Sequence, residues 1–99
     1  MIIITGRMQI PEENRKDFFE ISERQVRLSR EEAGCLSYRL YEDAMEPGMF
    51  FFHEEWEDRA AVDFHFAQSY CHEFVKRLRT LTQGYADMKI RTVAPKSPA

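Results

Sequence analysis

Residues 31–65, EEAGCLSYRLYEDAMEPGMFFFHEEWEDRAAVDFH, hold two strands, the turn that joins them and the start of a helix. Residues 34–43 alternate, with Leu36, Tyr38 and Leu40 on one face and Ser37, Arg39 and Tyr41 on the other, the period of two that a half-buried strand requires. Glu46-Pro47-Gly48 carries turn chemistry. Residues 49–57 follow as a second strand, with Phe50, Phe52, Glu54 and Trp56 on one face and Met49, Phe51, His53 and Glu55 on the other. Each face mixes large apolar groups with ionisable ones. Neither is a simple solvent face, so the sheet should carry helices on one side and meet a partner on the other.

Outward from this unit, the first ten residues read as a strand in which Ile2, Ile4, Met8 and Ile10 share a face with Gly6 among them. Pro11 ends it. A helix is expected over residues 11–32, with Pro11 near its first position, Glu12 and Glu13 at the positive end of its dipole and Gly34 beyond its end. Its inward stripe should be Phe18, Ile21, Gln25 or Val26, and Leu28. After Glu57-Asp58, a short helix is expected over residues 59–66. Gln68-Ser69 should cap a second helix running to Gln83, in which Tyr70, Phe74, Leu78 and Leu81 recur at helical spacing and Gly84 closes the element. Residues 85–93 read as a last strand, Ala86, Met88 and Ile90 alternating with Asp87, Lys89 and Arg91.

The order βαββαβ predicts a ferredoxin-like α+β fold: one four-stranded antiparallel sheet with its helices on one face. A single domain is expected over residues 1–93, followed by a mobile Pro-Ser tail, 94–99. Placing the more apolar set on the helix side puts Leu36, Met88 and Ile90 there with the strand aromatics. It leaves Arg7, Arg39, Phe51, His53, Glu55, Asp87 and Lys89 on the open side. That mixture of opposite charges and apolar groups predicts a homodimer with two sheets face to face.

Composition narrows the classes of function. The 99 residues suffice for one modest core, and 43% hydrophobic and 13% aromatic content is that of a globular domain. Fourteen basic against seventeen acidic residues, with no basic run, argue against a nucleic-acid partner. The aromatics of residues 50–52 could stack RNA bases, but Glu54, Glu55 and Glu57 beside them would repel phosphate. No apolar run approaches the roughly 18 residues of a membrane span, and the first residues, MIIITGRMQI, lack a basic leader, so a cytoplasmic protein is expected. Cys35 and Cys71 show no paired spacing and read as free thiols. His65, Cys71 and His72 invite a metal reading, but a metal site is not expected: Cys71 and His72 are adjacent and would diverge by about 100° on a helix, and no further carboxylate or His completes a tetrahedral set.

SREEAGCLSYRLYED, EEWED, AAVDFH and SYCHEF, in that order, resemble the antibiotic biosynthesis monooxygenase family over residues 1–93, through Gly34-Cys35, Tyr38, Glu55-Trp56 and His65 in particular. The resemblance implies a dimeric α+β barrel and admits cofactor-free quinol and polyketide monooxygenases, haem-degrading enzymes and an isomerase. The haem-degrading branch uses an Asn in the first strand and a His on the last helix. The matching positions here hold Gly6 and Val75, which argues against haem.

Cofactor-free oxygenation needs only an electron-rich substrate, an apolar pocket and a base, with dioxygen as co-substrate. His65 and Glu54 are the candidate acid/base residues: an imidazole titrates in the working range, and a carboxylate facing an apolar layer must find a partner or a proton. Trp56, Phe52 and Phe50 should line a pocket for a small phenolic or quinol ring, Trp56 offering its indole N–H to a substrate oxygen, with Tyr38 and Tyr70 fixing a hydroxyl. The leading expectation is a cofactor-independent monooxygenase. The alternatives are a non-catalytic binding or regulatory dimer and an isomerase of a small oxygenated metabolite.

Overall fold

The computed structural model describes residues 1–83 and 86–94. The elements are β1 (Ile2–Gln9), a 3-10 turn (Glu12–Asn14), α1 (Arg15–Arg30), β2 (Cys35–Glu42), β3 (Met49–Trp56), α2 (Arg59–Phe66), α3 (Ser69–Leu81) and β4 (Ala86–Thr92). The strands form one antiparallel sheet in the order β2-β3-β1-β4, the expected ferredoxin-like arrangement. Buried side chains alternate along β1 and β3, Ile2, Ile4 and Met8 on one and Phe50, Phe52, Glu54 and Trp56 on the other. These residues share the face that the helices cover. Residues on the opposite face, among them Arg7, Arg39 and Phe51, are exposed, and His53 and Glu55 are half-buried.

Local chemistry explains the element boundaries. Asp58 starts α2 by accepting a hydrogen bond from the Ala61 amide at 2.9 Å. The turn before β3 needs Gly48, whose φ is +87°; a Cβ there would lie 2.8 Å from the Ile10 carbonyl oxygen. Gly34 answers a different demand. The Glu57 amide donates to its carbonyl at 2.9 Å, drawing the start of α2 against the turn before β2. A Cβ on Gly34 would sit 2.3 Å from the Ala61 Cβ. Gly34→Ala should therefore push α2 outward at a cost of about 1–3 kcal/mol, read as a lower urea midpoint with unchanged slope. An unshifted midpoint would show that α2 is not held by this contact.

Several local expectations are corrected. A β-bulge between Cys35 and Ser37 gives Cys35 the inward place opposite Trp56 and turns Leu36 out, 57% exposed. On α1 the fully buried row is Phe18, Ser22, Gln25 and Ser29, with Ile21, Val26 and Leu28 flanking it half-buried. Small hydroxyl residues let the helix lie close over the bulky strand aromatics, so size rather than hydropathy sets the stripe. α3 ends at Leu81 because Thr82 turns extended and the Gln83 amide bonds to Gln9 O at 3.1 Å. Gln68 caps no α3 amide with its side chain; its Nε2 donates to Phe64 O at 2.8 Å and ties α3 to α2. Met88 and Ile90 do lie on the helix side, opposite Gly6 and Ile4, yet are 61% and 39% exposed because the helices do not reach over the edge strand. The expected helix stop at Gly84, and the tail beyond Ala94, fall outside the described residues.

Candidate active site

Between the sheet and α3 lies a cleft of about 320 Å³. The inward pleat of β3 supplies Phe52 and Glu54, and β2 supplies Tyr38. The last turn of α2 brings down His65, and the inner side of α3 adds Cys71, Phe74 and Leu78. Val75 and Met88, 44% and 61% exposed, stand at its open edge. The lining is mainly apolar, with a polar cluster of Gln25, Tyr38, Glu54 and His65 and with Arg7, Arg79, Thr82 and Asp87 among its other residues; a mainly apolar lining with a few polar groups is the usual composition of a site for a small ring.

Glu54 is the centre of that cluster. It is 7% exposed, and its Oε1 accepts the Trp56 indole N–H at 2.9 Å. Burial raises its carboxyl to about 7, against the opposing pull of hydrogen bonds from Trp56 and Tyr38. His65, 2% exposed, packs its ring on Trp56 with centroids 4.3 Å apart. Its Nδ1 lies 2.7 Å from Glu32 Oε2, and its Nε2 faces Glu54 Oε1 at 3.9 Å. Burial pushes the imidazole below its ordinary range while Glu32 pulls the other way. An imidazole whose Nδ1–H donates to Glu32 keeps a bare Nε2 toward Glu54. Tyr70 also donates to Glu32 and lies within reach of Ser29. Burial holds the Tyr38 and Tyr70 hydroxyls well above the usual phenol range, so both act as neutral donors.

Four of the residues singled out by sequence, Tyr38, Phe52, Glu54 and His65, therefore meet in one cleft. Trp56 lies beneath His65 rather than in the lining, and its N–H is committed to Glu54, not free for a substrate oxygen. Phe50 sits apart, packed on Phe18 at 4.5 Å and Phe19 at 5.4 Å. Tyr70 stands behind His65, on the Glu32 side. Gly6 and Val75 both line the cleft, and neither side chain can ligate iron. Sequence reasoning missed Glu32, and gave Gln25 only a packing place and Cys71 only the reading of a free thiol. Gln25 Nε2 donates to Tyr38 OH at 3.3 Å and to Cys71 Sγ at 3.4 Å, and Cys71 Sγ lies 3.4 Å from His65 Nε2. Glu32, His65 and Cys71 offer ligand atoms all within 4.8 Å of one another. His72, by contrast, turns outward to Phe66 O at 2.6 Å.

The antibiotic biosynthesis monooxygenase family model matches residues 1–77. The chain belongs to that family. Among family relatives, the uncharacterised protein sll1783 of Synechocystis is 38% identical over 93 residues, covering 94% of this chain; the chain spans 63% of that relative's length. A proposed monooxygenase of Bacillus subtilis, YcnE, is 30% identical over 92 residues, covering 93% of this chain and 96% of its own. A crystal structure of an antibiotic biosynthesis monooxygenase superposes with a TM-score of 0.86 at 28% identity, covering 96% of this chain and 100% of that one. SnoaB, a cofactor-independent oxygenase of Streptomyces nogalater solved as a point mutant, shares the fold, with a TM-score of 0.82 at 15% identity and coverage of 99% and 97%. Among the described residues no helix is long and apolar enough to cross a membrane.

Proposed function

We propose that this family member is a cofactor-independent monooxygenase that binds a small phenol or hydroquinone in the cleft and oxidises it with dioxygen. The observation that carries the reading is a buried carboxylate, Glu54, beside a buried imidazole, His65, in a mainly apolar, ring-sized cleft. The ring packs on Phe52, Phe74 and Leu78, with its hydroxyl toward Glu54. Glu54 takes the phenolic proton, and the Trp56 indole N–H and the Tyr38 hydroxyl hold the carboxyl in place. The phenolate then gives one electron to dioxygen, the radical pair joins as a carbon–oxygen bond, and loss of water with cleavage of the O–O bond leaves a quinone. One oxygen atom enters the ring and the other leaves as water, so phenol and dioxygen balance quinone and water without an added reductant. The cofactor-independent chemistry of SnoaB, on the same fold, is consistent with such a step.

Oxygen uptake by a panel of phenols, hydroquinones and fused-ring phenols tests it. Consumption should exceed the enzyme-free rate, with one quinone formed per dioxygen. Turnover that persists without oxygen would favour an isomerase using the same proton-transfer pair. No binding and no uptake across the panel would sink both.

We further propose a homodimer closed through the sheet's uncovered face, which presents Phe51 at 39% and Tyr41 at 53% exposure among Arg7, Arg39, His53 and Glu55. A twofold copy would cover the apolar groups and bring opposite charges together. Arg39→Glu should weaken association at least about tenfold by replacing an attraction with a repulsion, seen as monomer in sedimentation at micromolar concentration. A profile identical to the parent would place the interface elsewhere.

A further inference from the structure

The geometry points to a binding site for one zinc-class divalent cation, held by the Glu32 carboxylate, His65 Nδ1 and Cys71 Sγ. The three donors come from the turn after α1, the end of α2 and the first turn of α3, and tertiary packing alone gathers them within 4.8 Å. A carboxylate oxygen, an imidazole nitrogen and a sulfur form a borderline-soft set that suits zinc and cobalt rather than magnesium or calcium.

The spacing fits. Cys71 Sγ and His65 Nδ1 are 3.5 Å apart. A sulfur at ~2.3 Å and a nitrogen at ~2.0 Å on a tetrahedral zinc would be separated by about 3.6 Å. The 2.7 Å between Nδ1 and Glu32 Oε2 is a hydrogen bond, and it opens to roughly 3.3 Å when a metal replaces the proton between them.

An independent observation is the state of the polar atoms here. Glu32 Oε1 and Gln25 Oε1 are buried with no hydrogen-bond partner among the described residues. The Glu32 side chain is 8% exposed and Gln25 is 4% exposed. Such orphaned acceptors are costly unless something electropositive meets them. Tyr70, His65, Trp56 and Tyr38, which hydrogen-bond to Glu32 or Glu54, bring no fixed positive charge to these carboxylates. The amide of Gln25 touches Cys71 Sγ through Nε2, so a half-turn about its last bond presents the orphaned oxygen as a fourth ligand. With Nδ1 on the metal, His65 carries its proton on Nε2, which faces Glu54 Oε1 at 3.9 Å, the outer carboxylate that metal-bound histidines commonly have. Cys71 binds as thiolate and its proton passes to solvent; burial otherwise holds that thiol up at about 11, so the cation supplies the stabilisation the thiolate lacks.

Occupancy would lock His65 and Cys71, two walls of the cleft, and arrest proton transfer there. That inhibitory consequence rests on the proposed oxygenase reading; the binding does not. The test is cobalt(II) titration of the full chain after chelator treatment. Expected is a one-to-one complex with a near-ultraviolet sulfur-to-cobalt band, displaced by zinc(II), abolished by Cys71→Ser and kept in Cys35→Ser. Glu32→Gln, which keeps the side-chain shape, should weaken binding at least about tenfold. Absence of the band in the parent chain would overturn the site, as would a band that survives Cys71→Ser. Zinc bound as expected but without effect on oxygen uptake would leave the site standing and remove its link to catalysis.

Discussion

Replacing Glu54 with Gln lowers the maximal rate of phenol oxidation at least about a hundredfold, the usual scale of loss for a general base, while changing substrate affinity only a few-fold. The amide keeps the shape of the carboxylate and still accepts the Trp56 indole N–H through its oxygen, so the cleft stays intact and only the proton acceptor is lost. His65→Ala, which removes the ring that faces Glu54 at 3.9 Å, should cost at least about tenfold, chiefly in rate. Both are measured by oxygen uptake with the best phenol of the panel, alongside binding of the same phenol without oxygen. A Glu54→Gln protein that turns over at the parent rate would remove Glu54 from the chemistry, whatever the fate of the cleft.

The second large effect concerns stability. Trp56 is fully buried, stacks on His65, meets Tyr38 edge-on at 6.3 Å and anchors Glu54 through its N–H. Trp56→Ala opens a cavity in the centre of the core and strips a buried carboxyl of a donor. The expected cost is about 3–5 kcal/mol, a large part of the ~5–15 kcal/mol that holds a domain of this size. The melting temperature should fall by roughly 15–30 °C. Trp56→Phe, which keeps most of the packing but not the N–H, should lie between parent and Ala. A loss below about 1 kcal/mol for the Ala variant would mean that the layer over β3 repacks freely and that Trp56 does not set the position of His65.

What was legible beforehand followed from periodicity and punctuation. The alternation on β3 placed Phe50, Phe52, Glu54 and Trp56 inward, Pro47-Gly48 marked the turn, and Asp58 marked the start of α2. These signals are local, because a strand's two faces and a helix's cap are decided by neighbouring residues. The bulge at Leu36 was not legible, since an extra residue in one strand shows only against its partner's register. Nor was the place of Ser22 and Ser29 beside Phe18 and Gln25 in the buried row of α1, because they are buried for being small under a crowded sheet, and no hydropathy pattern records that.

The same division runs through the candidate site. Glu54 and His65 could be singled out because a carboxylate on an apolar face and an imidazole at a helix end are conspicuous by type and position. Glu32 could not, since Glu31-Glu32 at the very end of a long predicted helix reads as a solvated pair. By itself the sequence determined the order of elements, the inward faces of the strands and the chemical character of the polar end of the core. Only the tertiary structure decided that Glu32, Gln25 and Cys71 close around His65, and that β4 leaves the cleft open at Met88. The reason is physical: faces and caps depend on residues a few positions apart, whereas a cluster drawn from three helices and their turns depends on how closely each one packs on the sheet.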